Sequence, residues 1–124
     1  MIPSRSEYEE QVAIFKWADL MLLKLPELEL LQGSLNGVRL TIGQAVKAKR
    51  AGLKKSYPDL FLPVARGDYH GLFIELKKRG STYPDKGQRQ MLLKLREQGY
   101  CADWVRGSDD AIKLIKNYLE EARG

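Results

Sequence analysis

Apolar residues recur along this chain at two spacings, one of three to four positions and one of two. Ser6-Glu7-Tyr8-Glu9 has the form of an N-terminal capping box. It predicts a helix running to about Leu25, with Tyr8, Val12, Phe15 and Leu22 as its buried stripe and Pro26 as its stop. Gly33, Asn36-Gly37 and Gly43 then break the pattern, predicting a short strand interrupted by a loop. A lysine-rich helix is expected over Gln44–Ala51, closed by Gly52. The spacing next drops to two. Tyr57-Pro58-Asp59-Leu60-Phe61-Leu62 and Gly71-Leu72-Phe73-Ile74-Glu75-Leu76-Lys77 read as paired strands around the loop-like Arg66–Gly71 segment. A basic loop, Lys78–Pro84, leads to a helix over Asp85–Gln98, with Pro84 suited to its first position. Met91, Leu92 and Leu95 face inward there, and Gly99 stops it. Tyr100–Val105 forms a further strand. Ser108 is expected to cap a last helix whose inward face is Ala111, Ile112, Ile115, Tyr118 and Leu119, with Asp109 and Asp110 near the positive end of its dipole. This order predicts an α/β fold, a mixed central sheet flanked by helices.

The strand pair carries the chemistry. Side chains alternate along a strand, so Phe73, Glu75 and Lys77 share one face and Leu72, Ile74 and Leu76 the other. A hairpin sets Asp59, at the start of its first strand, beside Glu75 and Lys77 near the end of the second. Glu75 interrupts an apolar run, where a carboxylate is costly unless paired or metal-bound. Two carboxylates offer hard oxygen ligands to a divalent cation such as Mg²⁺, which keeps its remaining positions for water and substrate phosphate. Lys77 then orients or deprotonates an attacking water, or neutralises phosphate charge. This is the outline of a phosphodiesterase site.

Charge places the substrate. The chain has 124 residues and a net charge of +5. Between Gln32 and Pro58 there are six basic residues, Arg39, Lys47, Lys49, Arg50, Lys54 and Lys55, and no acidic ones. A nucleic-acid backbone is drawn to such a stretch, which lies just ahead of Asp59. At 44% hydrophobic and 30% charged residues the composition is globular, and the length suits one domain, 1–124. A lone cysteine, Cys101, excludes an internal disulfide framework and fits a reducing compartment. No signal-peptide pattern opens the sequence, and the longest apolar run, Leu20–Leu23, is too short to span a membrane.

With these residues placed, the chain resembles the virus-type replication-repair nuclease (VRR-Nuc) domains, a branch of the PD-(D/E)xK nuclease superfamily. The resemblance runs almost end to end, through Glu10-Gln11, Asn36-Gly37, Pro58-Asp59-Leu60-Phe61-Leu62, Gly71–Lys77, Gln88 and Gly99-Tyr100. It implies a restriction-endonuclease-like core, Mg²⁺ or Mn²⁺ as cofactor, and hydrolysis of DNA phosphodiester bonds. It further implies branched or junction-containing DNA as partner, a homodimer, and a cytoplasmic setting in a bacterial or phage-infected cell. By resemblance the Leu76 carbonyl also reaches the metal, together with an acidic group of the first helix. Glu10 is favoured for that group, with Glu7 and Gln11 as alternatives. The sequence departs from the family pattern at Ser56, where glycine is common, and at Tyr83, where a helix-capping serine is usual. The second departure shifts the expected cap of the Gln88 helix to Ser81 or Thr82.

Other residues carry two readings each. Gln88 lies on the apolar side of its helix, facing either the active-site water and Lys77 or plain solvent. Lys77 is preferred to Lys78 for the chemistry because it shares Glu75's face; Lys78 joins the basic segment as a DNA contact. His70 reads as a loop histidine ahead of a general acid, and Asp85 as a helix-dipole residue. Cys101 reads as a small core residue, and Trp17, Trp104 and the tyrosines as packing groups rather than base-stacking platforms. Ile14, Trp17 and Met21 divide between a dimer interface and monomer packing. A DNA-binding module without catalysis is the rival reading, against which the complete Asp59, Glu75 and Lys77 set speaks.

Overall fold

The computed structural model describes residues 5–81 and 83–121. α1 (Glu7–Met21) opens on the expected box, Ser6 Oγ accepting from Glu9 N at 3.1 Å and the Glu9 carboxylate accepting from Ser6 N at 3.2 Å. It ends at Met21, short of the expected Leu25. Pro26 lacks an N–H and restricts the residue before it, so Leu25 takes φ −128°, ψ 75°. Pro26 then starts a 3-10 turn, Pro26–Leu30, whose Leu28 is buried. β1 is only Gln32–Gly33. α2 (Ile42–Arg50) begins earlier than expected, at a Thr41/Gln44 capping box, and buries none of its residues.

β2 (Leu60–Leu62) and β3 (Leu72–Lys77) form the expected hairpin, with Leu60 opposite Ile74. α3 (Lys86–Glu97) crosses over to β4 (Cys101–Arg106), which lies parallel to β3 with Leu72 opposite Cys101. α4 (Gly107–Glu121) completes the order. The sheet is mixed, in the order β1-β2-β3-β4.

Strand alternation divides the core in two. Leu60, Leu62, Leu72, Ile74 and Leu76 pack with Ile14 and Ala18 of α1, Leu28, and Ala111, Ile115, Tyr118 and Leu119 of α4. Phe73 and Ala102 pack on the other face with Leu92 and Leu95 of α3, and Phe61 stacks on Phe73 at 4.2 Å between ring centroids. Glu75 lies on this second face, beneath α3.

Four local expectations are corrected. The deep face of α1 is Glu10, Ile14 and Ala18, whereas Tyr8 is 53% exposed and Val12, Phe15 and Leu22 are half-buried. Ile14 is therefore a core residue, unavailable to a dimer interface, and Trp17 and Met21 pack against the same core. The cap of α3 is Asp85 in a reciprocal box with Gln88, leaving Pro84 ahead of the helix; Thr82 lies outside the described residues. Ser108 is not a cap, because α4 starts at Gly107 straight after β4. Gly107 turns the chain with φ +82°, and a Cβ there would lie 2.8 Å from Arg79 Nε. Only glycine fits that turn.

Candidate active site

The hairpin brings Asp59 to Glu75 because Asp59 directly precedes the residue paired with Ile74. Asp59 is 5% exposed, and its Oδ2 accepts from the Leu76 backbone N–H at 2.8 Å. Glu75 is 2% exposed. Its Oε2 receives Gln88 Nε2 at 3.5 Å, while Oε1 is buried without a hydrogen-bond partner. Burial above all, then hydrogen bonding with Asp59 and its charge, pushes the Glu75 carboxyl up to about 10, against the opposing pull of Lys77. Two buried carboxylates in that relation hold either a proton or a cation.

The donor set fits a hard divalent cation. Among the described residues no three His, Cys, Asp or Glu side chains converge into a closed metal cage. Mg²⁺ does not ask for one, since it commonly takes one or two carboxylates and otherwise water and phosphate. Glu75 Oε1 and the Asp59 carboxylate, with the Leu76 carbonyl, are the oxygens that would hold it.

Lys77 is mostly buried, with its side chain 15% exposed, and its Nζ lies 3.7 Å from Glu7 Oε1. Lys78 is exposed. Of the three first-helix candidates, Glu7 is thus the one that faces the cluster, and its charge also acts on Glu75. Glu10 faces the start of α4: Oε2 accepts from Ser108 N, while Oε1 lies 3.6 Å from Arg79 Nε and is buried without a hydrogen-bond partner. Gln11 has a supporting role. Its Nε2 donates to Ser34 O at 3.2 Å, and Ser34 N donates to Asp59 O at 2.7 Å, so α1 braces the strand that carries Asp59.

Asn36 completes the frame. Its Nδ2 donates to Lys54 O at 3.2 Å and Tyr57 O at 3.1 Å, tying the basic segment to the entry of β2. An Asn-Gly turn was visible in the sequence, but its partners eighteen and twenty-one residues onward were not. Arg39, Lys47, Lys49, Arg50, Lys54, Lys55 and Lys78 are all exposed. Lys49, Lys54 and Lys55 border a groove of about 620 Å³ with Leu35 and Leu53 in its lining. His70, by contrast, sits at the opposite end of β3 from Glu75, where its backbone N–H bonds Gly99 O. Cys101 is half-buried against the core, and burial followed by Asp103 raises its thiol.

No family model and no curated protein matches the chain. Among solved structures, a VRR_NUC domain protein aligns with 34% sequence identity and a TM-score of 0.78, over 96% of this chain and 92% of that one. The chain belongs to the VRR-Nuc family. Its mixed sheet with flanking helices is accordingly the restriction-endonuclease-like core of that family, and the protein is a nuclease-fold domain. Within this VRR-Nuc chain, Pro58-Asp59 and Glu75-Leu76-Lys77 are brought together by the β2–β3 register. Among the described residues, no helix is long and apolar enough to cross a membrane.

Proposed function

We propose that this chain is a Mg²⁺- or Mn²⁺-dependent DNA endonuclease that hydrolyses phosphodiester bonds in branched or structured DNA. The observation that carries this reading is the buried Asp59–Glu75 carboxyl pair, whose Glu75 Oε1 receives no donor from the rest of the fold, with Lys77 on the same strand face. A divalent ion bound by these oxygens supplies a water of lowered pKa and charge stabilisation at the phosphate. The chain's own groups do the rest. Gln88 fixes the Glu75 carboxylate, and the Leu76 N–H fixes that of Asp59. Lys77, paired with Glu7, would orient the attacking water or offset the developing negative charge with its ammonium. The exposed bases from Arg39 to Lys55, with Lys78, draw the phosphate backbone toward the site. Glu10 is set aside in this scheme because its Oε2 accepts from Ser108 N and Arg79 lies beside its Oε1, although that Oε1 is also buried without a hydrogen-bond partner.

One such site cuts one strand, so symmetric resolution of a four-way junction needs two copies, as in a homodimer. Light scattering on such a dimer reads close to twice the 14.2 kDa chain mass. The test of function is incubation with four-way junction, flap and linear duplex DNA, with Mg²⁺, Mn²⁺ or chelator. Metal-dependent cleavage that favours the branched substrates supports the proposal. Binding without cleavage under every metal condition would instead favour a DNA-binding module.

A further inference from the structure

The β3–β4 register places more than packing beside the catalytic residues. Trp104 stands directly across from Glu75, and Arg106 across from Lys77, on the neighbouring parallel strand. Adjacent strands are roughly 5 Å apart, so these side chains border the site. The Arg106 guanidinium carbon lies 4.9 Å from the Trp104 ring centroid and 5.4 Å from that of Tyr83. Tyr83 meets Trp104 edge-on at 5.5 Å, yet remains 70% exposed.

Tyr83 is held in that position. Arg106 Nε donates to Ser81 O at 3.0 Å, and Arg89 Nη1 donates to Pro84 O at 2.5 Å, pinning the loop on either side of the ring. Arg106 has no carboxylate partner among the described residues, in contrast to Arg79, which pairs with Glu10 and Asp109. Tyr83 leaves its ring open to solvent, and an arginine without a carboxylate partner across from Lys77 attracts phosphate. Ring and cation together match a nucleotide, its base on the ring and its phosphate on the guanidinium.

We infer that Tyr83, backed by Trp104 and Arg106, is a stacking platform for an unpaired DNA base next to the scissile phosphate. This rests on the reading that the Asp59–Glu75 site acts on DNA. It also makes the platform a determinant of substrate choice. A base inside a flush duplex has its faces covered by its neighbours, whereas a base at a flap, splayed arm or junction branch point is free to stack on Tyr83.

The test is binding of full-length protein to fluorescent DNA in chelator, where no cutting occurs. A duplex with an unpaired arm is compared with the flush duplex of the same sequence. Stacking of one base predicts that Tyr83→Ala weakens arm-bearing DNA roughly 5- to 150-fold, leaves flush duplex within about twofold, and is rescued by Tyr83→Phe. In the unaltered protein, abasic sites in the arm reproduce the loss, and they add nothing in Tyr83→Ala. Equal weakening of both DNAs, no weakening, indifference to abasic sites, or no measurable binding of arm-bearing DNA would each overturn the platform. The two readings separate cleanly. Tyr83-dependent arm binding without metal-dependent cleavage leaves the platform standing and removes the nuclease, and cleavage with a silent Tyr83 does the reverse.

Discussion

Replacing Glu75 with glutamine isolates the charge of the buried pair. In the metal-free protein the Glu75 carboxyl is raised from 4.5 to about 10, so at pH 7 it carries a proton. Glutamine has nearly the shape of that protonated form and keeps a group for Gln88 to meet. The Tm of Glu75→Gln in chelator at pH 7 is therefore expected to equal or exceed that of the original protein. The uncharged form is favoured on folding, so this stability is complete below about 4.5 and is lost as pH rises toward 10. The gap between variant and original thus widens with pH. Added metal reverses the order. A ligand at a hundred times its Kd stabilises by about 2.7 kcal/mol. At about 4 °C per kcal/mol for a domain of this size, the original protein gains roughly 10 °C with Mn²⁺. The variant has lost the anionic oxygen and gains little. Thermal melts with and without Mn²⁺ read both effects. A variant that melts well below the original in chelator, or that keeps the full Mn²⁺ gain, would refute the reasoning.

Three further outcomes follow from the same geometry. Glu10→Ala leaves the buried Ser108 N–H without its acceptor, so urea unfolding is expected to show a loss of about 1–3 kcal/mol. The same variant keeps its Mn²⁺ gain in Tm, because Glu10 is engaged at α4 and not with the Asp59–Glu75 pair. Neutralising Lys49, Lys54 and Lys55 together lowers the slope of log affinity against log salt by about 2 to 3 on duplex DNA, read by fluorescence polarisation; an unchanged slope would place the DNA elsewhere. The Cys101 thiol is raised by burial and by Asp103, so its iodoacetamide reaction is expected to gain speed only above the pH at which a free cysteine does.

The strand pair was legible because its signal is local. Period-two alternation fixes which face Glu75 and Lys77 share, and the hairpin follows from the turn between the runs. The capping box at Ser6 is local too, whereas the equally local box at Asp85 was missed because the family pattern drew the expected cap to Ser81 or Thr82. What failed depends on partners distant in sequence. α1 is apolar on more than one face, so its spacing pointed to the Tyr8, Val12, Phe15 and Leu22 stripe, and only α4 and the sheet select Ile14 and Ala18. The same gap left Glu7, Glu10 and Gln11 unresolved. Glu10 points to a helix start ninety-eight residues away, and Glu7 meets Lys77 from across the fold. Ser108 looked like a cap because nothing in its neighbourhood shows that β4 runs directly into α4 through a positive-φ glycine. Tyr83 was read as packing, since exposure is a property of the assembled surface.

The most direct measurement is the single-turnover rate of cleavage of an end-labelled four-way junction as Mn²⁺ is titrated, in the original protein, Asp59→Asn and Glu75→Gln. No cleavage is expected in chelator, the rate in the original protein rises and saturates with Mn²⁺, and both variants lose at least about 100-fold. Junction binding in chelator stays intact in each variant. Cleavage that persists in chelator, or that both variants retain in full, would contradict the assignment of Asp59 and Glu75 as the catalytic metal site.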